Sequence, residues 1–179
     1  AASEVYKTQY IDRASVDLNS YYLQGGYFAE NTSVKLIAFA GKEKTYHAWG
    51  YATKKEMEDF GRRYNPCGEM YTDANGNKHF YDDQTDNYLQ KNYQLLFNHT
   101  FSTAWNLNVA LHYTKGDGYY EEYKDGRSLI EYGLKPFTID GTEITKSDLV
   151  RQKKMDNKFG GGVFSLNYTV NRLNASLGG

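Results

Sequence analysis

The side chains best suited to metal or acid–base chemistry are dispersed along the sequence. The four histidines stand at 47, 79, 99 and 112, with no helical spacing that would bring two imidazoles to one ion. No metal centre is expected. Asp73-Ala74-Asn75-Gly76-Asn77 has the oxygen-rich opening of a calcium loop but lacks the glycine position and terminal Glu of an EF-hand, so it reads as a turn. Asp82, Asp83 and Asp86 fit a solvated loop base as well as a cation site, and the first reading is adopted. Cys67, in Tyr64-Asn65-Pro66-Cys67-Gly68, has no base or resolving cysteine beside it, which suits a packing thiol better than a nucleophile. Gly116-Asp117-Gly118 and Gly160-Gly161-Gly162 do not sit at a strand-to-helix junction, so neither makes a nucleotide-binding turn. Asp and Glu are plentiful, but no catalytic pair can be located. No enzyme activity and no cofactor are expected.

The aromatic residues are more suggestive. Tyr46, His47, Trp49 and Tyr51 form one group; Tyr119, Tyr120 and Tyr123 form another. Rings beside polar groups suit sugar or peptide surfaces, combining apolar contact with hydrogen bonding. Ordinary loop packing explains them equally well. Tyr46, Trp49, Tyr119, Tyr120 and Tyr123 are the candidate contact residues. Asn31, Asn98, Asn167 and Asn174 match the glycosylation triplet, but 98 and 167 fall within expected strands, a poor context for a glycan.

The elements that must position these residues follow from period-two alternation. Strands are expected over 20–28, 33–45, 86–99, 106–115, 158–170 and 173–177. The clearest pair sets Leu89, Tyr93, Leu95 and Phe97, then Leu107, Val109, Leu111 and Tyr113, on one face. Gln90, Asn92, Gln94, Asn98, Asn108, His112 and Thr114 take the other. Residues 1–19 read as a polar lead-in. Thr53 is placed to cap a short helix over 53–60 with Glu56 at N3. Asp73–Asn77 marks a turn.

Connections alternate in length. Short ones are expected at 29–32, 100–105 and 171–172, and long polar ones at 46–85 and 116–157. Antiparallel strands then place every short turn at one rim and both long excursions at the other, as in an outer-membrane barrel. Long structureless loops are uncommon in small soluble sandwiches, although a solvated face on a soluble domain gives the same alternation. Tyr21, Tyr113 and Tyr168 are candidates for interfacial rings, with Phe101 and Trp105 where the short-turn girdle should be. The expected fold class is therefore all-β: antiparallel hairpins from a transmembrane β-barrel, about six strands with two long loops.

Composition adds limits. The chain has 179 residues, 40% hydrophobic content, 18 Tyr and a formal net charge of -1, with a mean hydropathy of -0.76. Near-neutral charge gives no nucleic-acid footprint. A single Cys excludes an internal disulfide. No stretch is long and apolar enough for a spanning helix, which does not count against spanning strands. The sequence stops at Gly179 inside an expected strand, as an excised portion of a larger protein would.

Several strings resemble one family. Tyr10-Ile11-Asp12-Arg13-Ala14-Ser15, Tyr64-Asn65-Pro66-Cys67-Gly68-Glu69 and Tyr81-Asp82-Asp83-Gln84-Thr85-Asp86-Asn87-Tyr88 look like the barrel portion of TonB-dependent receptors of the SusC-like group from Bacteroidetes. So do Leu107-Asn108-Val109-Ala110-Leu111-His112-Tyr113-Thr114-Lys115-Gly116 and Gly118-Tyr119-Tyr120-Glu121-Glu122-Tyr123-Lys124. The similarity covers essentially the whole chain. It implies a barrel of about 22 strands, of which residues 1–179 supply a partial wall without the plug. It also implies nutrient import at the outer membrane, with glycan, peptide or similar substrates. The implied partners are a SusD-like surface lipoprotein, TonB acting through the full-length receptor, and outer-membrane lipid. The candidate aromatics would then meet substrate or plug. A soluble carbohydrate-binding β module is the alternative, with Trp49, Tyr119 and Tyr120 as platforms.

Overall fold

A computed structural model describes residues 2–8 and 10–179. In chain order the elements are β1 (Ala2–Thr8), β2 (Ser15–Phe28), β3 (Thr32–Tyr46), α1 (Lys54–Phe60), β4 (Glu69–Thr72), β5 (Lys78–Phe80), β6 (Thr85–Thr100), β7 (Trp105–Ser128), β8 (Phe137–Ile139), β9 (Thr142–Ile144), β10 (Lys146–Val170) and β11 (Leu173–Gly178). Seven of them form one antiparallel meander in the order β1-β2-β3-β6-β7-β10-β11. The fold is all-β. The sheet is open, with β1 and β11 at its edges and no closure into a barrel among the described residues.

Turn chemistry sets the hairpins. The Ala29 amide donates to the Thr32 carbonyl at 2.8 Å, closing the β2–β3 turn. Asn171 adopts φ 52 in the turn before β11, a left-handed conformation that Asn tolerates better than most residues. The short turns lie at one rim. At the other lie the connection through 10–14, the excursion over 47–84, and the β7–β10 loop.

All six strands expected from alternation are present; the long connections also hold the short hairpins β4–β5 and β8–β9, and the main sheet differs from expectation in two places. The polar lead-in contains β1, paired with β2 from Ala2↔Tyr21 to Thr8↔Ser15. The second long connection, expected over 116–157, is corrected to a loop over 129–145. β7 and β10 remain paired from Trp105↔Tyr168 to Glu122↔Arg151 and, past an irregularity near Ser147, to Ser128↔Lys146. Charged side chains on both faces of that extension hide its alternation, while backbone pairing and cross-strand ion pairs maintain it.

The two faces of the sheet differ in chemistry. On the Leu95 face, Leu36, Leu95, Leu111 and Gly162 form one continuous rung. Val34, Phe97, Val109 and Phe164 form another. Trp105 packs against Tyr168 at the short-turn end, with ring centroids 4.6 Å apart and planes tilted by 46°. Tyr93 and Tyr113 face each other at the opposite end, at 6.5 Å. Along β7, the apolar run from Trp105 to Tyr113 is about nine residues; tilted by about 40°, it rises about 23 Å, close to the ~25 Å apolar band of a membrane barrel.

On the Asn108 face, amides and hydroxyls form a ladder across four strands. Asn98 Nδ2 donates to Asn108 Oδ1 at 2.6 Å, and Asn108 Nδ2 donates to Asn106 Oδ1 at 2.9 Å and to Ser165 Oγ at 3.2 Å. Asn167 Nδ2 continues to Ser165 Oγ at 3.3 Å, and Ser176 Oγ donates to Asn167 Oδ1 at 2.8 Å. This face also carries Ile37, Phe39, Leu96 and Val163. The contrast between faces therefore lies in hydrogen-bonding groups, which the Leu95 face lacks over its central rungs.

No second layer covers the central sheet among the described residues. Leu23 is 71% exposed and Leu36 60%. The accessible surface is 12659 Å², against about 8,900 Å² for a compact chain of this mass. The buried apolar residues include Tyr46, Tyr64, Cys67, Tyr120 and Leu129, all toward the long-loop rim.

Candidate functional site at the long-loop rim

The excursion over 47–84 is ordered by local signals. Thr53 caps α1: the Glu56 amide donates to Thr53 Oγ1 at 3.2 Å, and Glu56 Oε2 accepts from the Thr53 amide at 2.7 Å. This is the capping box expected from the sequence. Asp73 turns β4 into β5, its Oδ1 accepting from the Asn75 and Asn77 amides at 2.9 and 2.8 Å. Those bonds, with the Asn77 side chain, hold the Asp73 carboxyl down to about 2.

Asn65 joins this excursion to the loop before β2. It is the largest fully buried side chain among the described residues. Its Nδ2 donates to the carbonyls of Asp12 at 3.0 Å and His47 at 3.1 Å, while its Oδ1 accepts from the Cys67 amide at 3.0 Å. Arg13 donates to the Asn65 carbonyl and lies over the Phe80 ring at 3.4 Å. Arg63 pairs with Asp12 at 3.0 Å. Cys67 is buried and free, and its Sγ accepts from the Gly50 amide at 3.1 Å.

Over this base lies an aromatic group. Trp49 stacks on His47 at 4.4 Å, with planes 6° apart, and meets Tyr120 edge-on at 4.7 Å. Trp49 is 50% exposed and Tyr120 only 8%. Burial, then the nearby Glu122 charge, raises the Tyr120 hydroxyl above its ordinary range, so Tyr120 remains a neutral donor at physiological pH. His47 Nε2 lies 3.5 Å from Asp86 Oδ2, and both His47 Nε2 and Asp86 Oδ1 are buried without a hydrogen-bond partner.

Beside these rings sits Glu122, with its side chain 9% exposed. Arg151 donates to Oε1 through Nε at 2.8 Å and also through its terminal amine. Lys124 lies 2.9 Å from Oε2 and Lys153 3.6 Å from Oε1. Burial alone would raise the Glu122 carboxyl, but hydrogen bonds from Arg151 and Lys124, and their charges, hold it below the usual value. An open cleft of about 800 Å³ is lined by Trp49, Cys67, Gln84, Tyr120, Glu122 and Lys153, among others. It offers an aromatic platform beside a charged wall, which suits binding a polar molecule with an apolar face.

The five aromatics singled out in the sequence do not form one surface. Trp49 and Tyr120 line the cleft together. Tyr46 is buried, its hydroxyl donating to the carbonyls of Tyr81 at 2.9 Å and Cys67 at 3.1 Å. Tyr119 lies opposite Asn87 and Lys154, so alternation turns it away from Tyr120. Tyr123 donates to Asp148 Oδ2 at 2.6 Å, and that bond pushes its hydroxyl up to about 12.

Glu122, Arg151 and Lys153 were not singled out from the sequence. Their signal was available: carrying the register of the Trp105–Tyr168 pair along the two strands sets Glu122 opposite Arg151. Comparison with profiles of known protein families and with curated protein sequences finds no match.

Proposed function

We propose that this chain is a section of the wall of a TonB-dependent outer-membrane receptor of the SusC-like group, importing a glycan, peptide or similar nutrient without covalent chemistry. The observation that carries the reading is the uncovered single-layer sheet. Its Leu95 face is an uncovered apolar belt between aromatic ends, broken near the short turns by the hydrogen-bonded Thr32–His99 pair, while its Asn108 face is laddered with amides. Hydrocarbon on the first side and water or plug on the second would satisfy both. A soluble carbohydrate-binding module would need a second layer over Leu36, Leu95 and Leu111, where none lies among the described residues.

In this reading the long-loop rim is extracellular, beneath a SusD-like lipoprotein, and Trp49 and Tyr120 meet the ligand. TonB supplies energy through other parts of the receptor. The test is uptake by cells carrying the intact receptor. Trp49→Ala and Tyr120→Ala are expected to reduce ligand affinity about tenfold, the scale of one stacked ring lost from a site, and to slow uptake. Unchanged affinity and uptake in both variants would contradict the ligand role.

A further inference from the structure

We infer that the Leu95 face carries a binding site for the anionic phosphate headgroup of a lipid, formed by Lys91, Lys115 and Lys158; this rests on the membrane reading above. Lys91 is the direct cross-strand neighbour of Lys115, and Lys115 that of Lys158. Adjacent strands lie about 4.8 Å apart, so the three stems leave the sheet within about 10 Å of one another. Like charges directly opposite one another repel. None of the three ammonium groups has an ion pair or hydrogen bond among the described residues. No carboxylate therefore pairs with the three ammonium groups among the described residues.

The position of the rung identifies that anion. Two residues toward the short turns stand Tyr93 and Tyr113, the aromatic edge of the apolar belt. Two residues outward stand Asp117 and Asp156, opposite each other, with Lys42 and Leu89 in the same rung. Passing outward, the face thus runs from apolar side chains to rings, then to three cations, and only then to carboxylates. Ala40 completes the lysine rung on β3, so no acid shares it. A lipid whose acyl chains lie on the belt places its phosphate at the height of the lysines, where each basic residue near a membrane surface adds to attraction for anionic headgroups.

The test uses the intact protein, with phosphatidylglycerol as the anionic lipid, phosphatidylcholine as the neutral one and inorganic phosphate as the free anion. Native mass spectrometry is expected to show the wild type retaining phosphatidylglycerol at least tenfold better than a Lys91→Gln/Lys115→Gln/Lys158→Gln variant. A Lys42→Gln/Lys154→Gln variant should change retention less than twofold. Excess inorganic phosphate should fail to displace the lipid. Equal retention by the triple variant, equal loss in the double variant, or displacement by inorganic phosphate would overturn the inference. Insertion into phosphatidylcholine bilayers is measured in parallel. Wild-type insertion with no lysine-dependent lipid preference overturns this inference alone, and failure to insert overturns the membrane reading with it.

Discussion

Asn65 Nδ2 donates to the Asp12 carbonyl at 3.0 Å, across 53 residues of sequence. With its bonds to His47 and Cys67, it makes one side chain the junction of three segments at the long-loop rim. Two of the strings that carry the family resemblance, Tyr10–Ser15 and Tyr64–Glu69, meet at this point. Their residues hold the rim in shape, and the cleft below Trp49 depends on that shape.

Asn65→Ala removes three hydrogen bonds from a buried position and leaves their partners unsatisfied. Each bond is worth about 1 kcal/mol, so local stability should fall by about 2–4 kcal/mol. Hydrogen exchange is expected to speed up over residues 10–14 and 47–68 and to change little in β6 and in β7 up to Lys115. Uniform acceleration across the sheet, or none, would contradict this local role.

Glu122→Gln leaves Arg151, Lys124 and Lys153 together without their anion. Breaking a buried pair costs about 3–5 kcal/mol, but these partners are partly solvated, so about 1–2 kcal/mol is expected. The folded carboxyl lies below its unfolded value. Its stabilisation is therefore complete above the unfolded value and is lost as pH falls through the folded one. A denaturation series should show this acid-side loss in the wild type and its absence in Glu122→Gln.

Asp73 has the same sign, with its folded value near 2. The hairpin over Glu69–Phe80 should keep its exchange protection from neutral pH down to about 4 and lose it progressively toward 2. In Asp73→Asn that acid transition should disappear and protection at neutral pH should fall. NMR titration of the Asn75 and Asn77 amides checks both points.

Gly118 lies against the edge of β6, where an added Cβ would stand 2.1 Å from the Asn87 carbonyl oxygen and 2.9 Å from Tyr88 Cα. Both are backbone atoms, so the strands must part. Gly118→Ala is expected to destabilise the β6–β7 pairing by about 1–3 kcal/mol, read as faster exchange from Asp86 to Gln90. Gly126→Ala is a poor control because its φ is 54; Gly41→Ala, with open space at its Cβ, is the appropriate one.

The central sheet was legible in the sequence because Leu95 and Leu111 alternate with Gln94 and His112, and one side of each strand differs in polarity from the other. The helix cap was legible because Thr53 and Glu56 act locally. Past Lys115 the signal fades: Tyr119 and Tyr120, or Glu121 and Glu122, occupy opposite faces with the same chemistry. Period two then carries no contrast, although the backbone pairing continues. The cleft was half legible for a related reason. Trp49 and Tyr120 advertise themselves as rings, whereas the Glu122–Arg151 pair exists only once the β7–β10 register is extended. Tyr46 looked like its neighbours in sequence, but its hydroxyl is taken by two carbonyls of the excursion.

The central claim is that the Leu95 face meets hydrocarbon while the Asn108 face stays wet. Single cysteines at Leu95, Leu111, Gln94 and His112, in a Cys67→Ser background of the intact protein reconstituted in lipid, test it most directly when spin-labelled. Labels at 95 and 111 should relax with lipid-dissolved oxygen and ignore a water-soluble nickel reagent, while those at 94 and 112 should lack the oxygen response. Labels at 95 and 111 that are shielded from both reagents, as in a protein core, or open to the nickel reagent would contradict it.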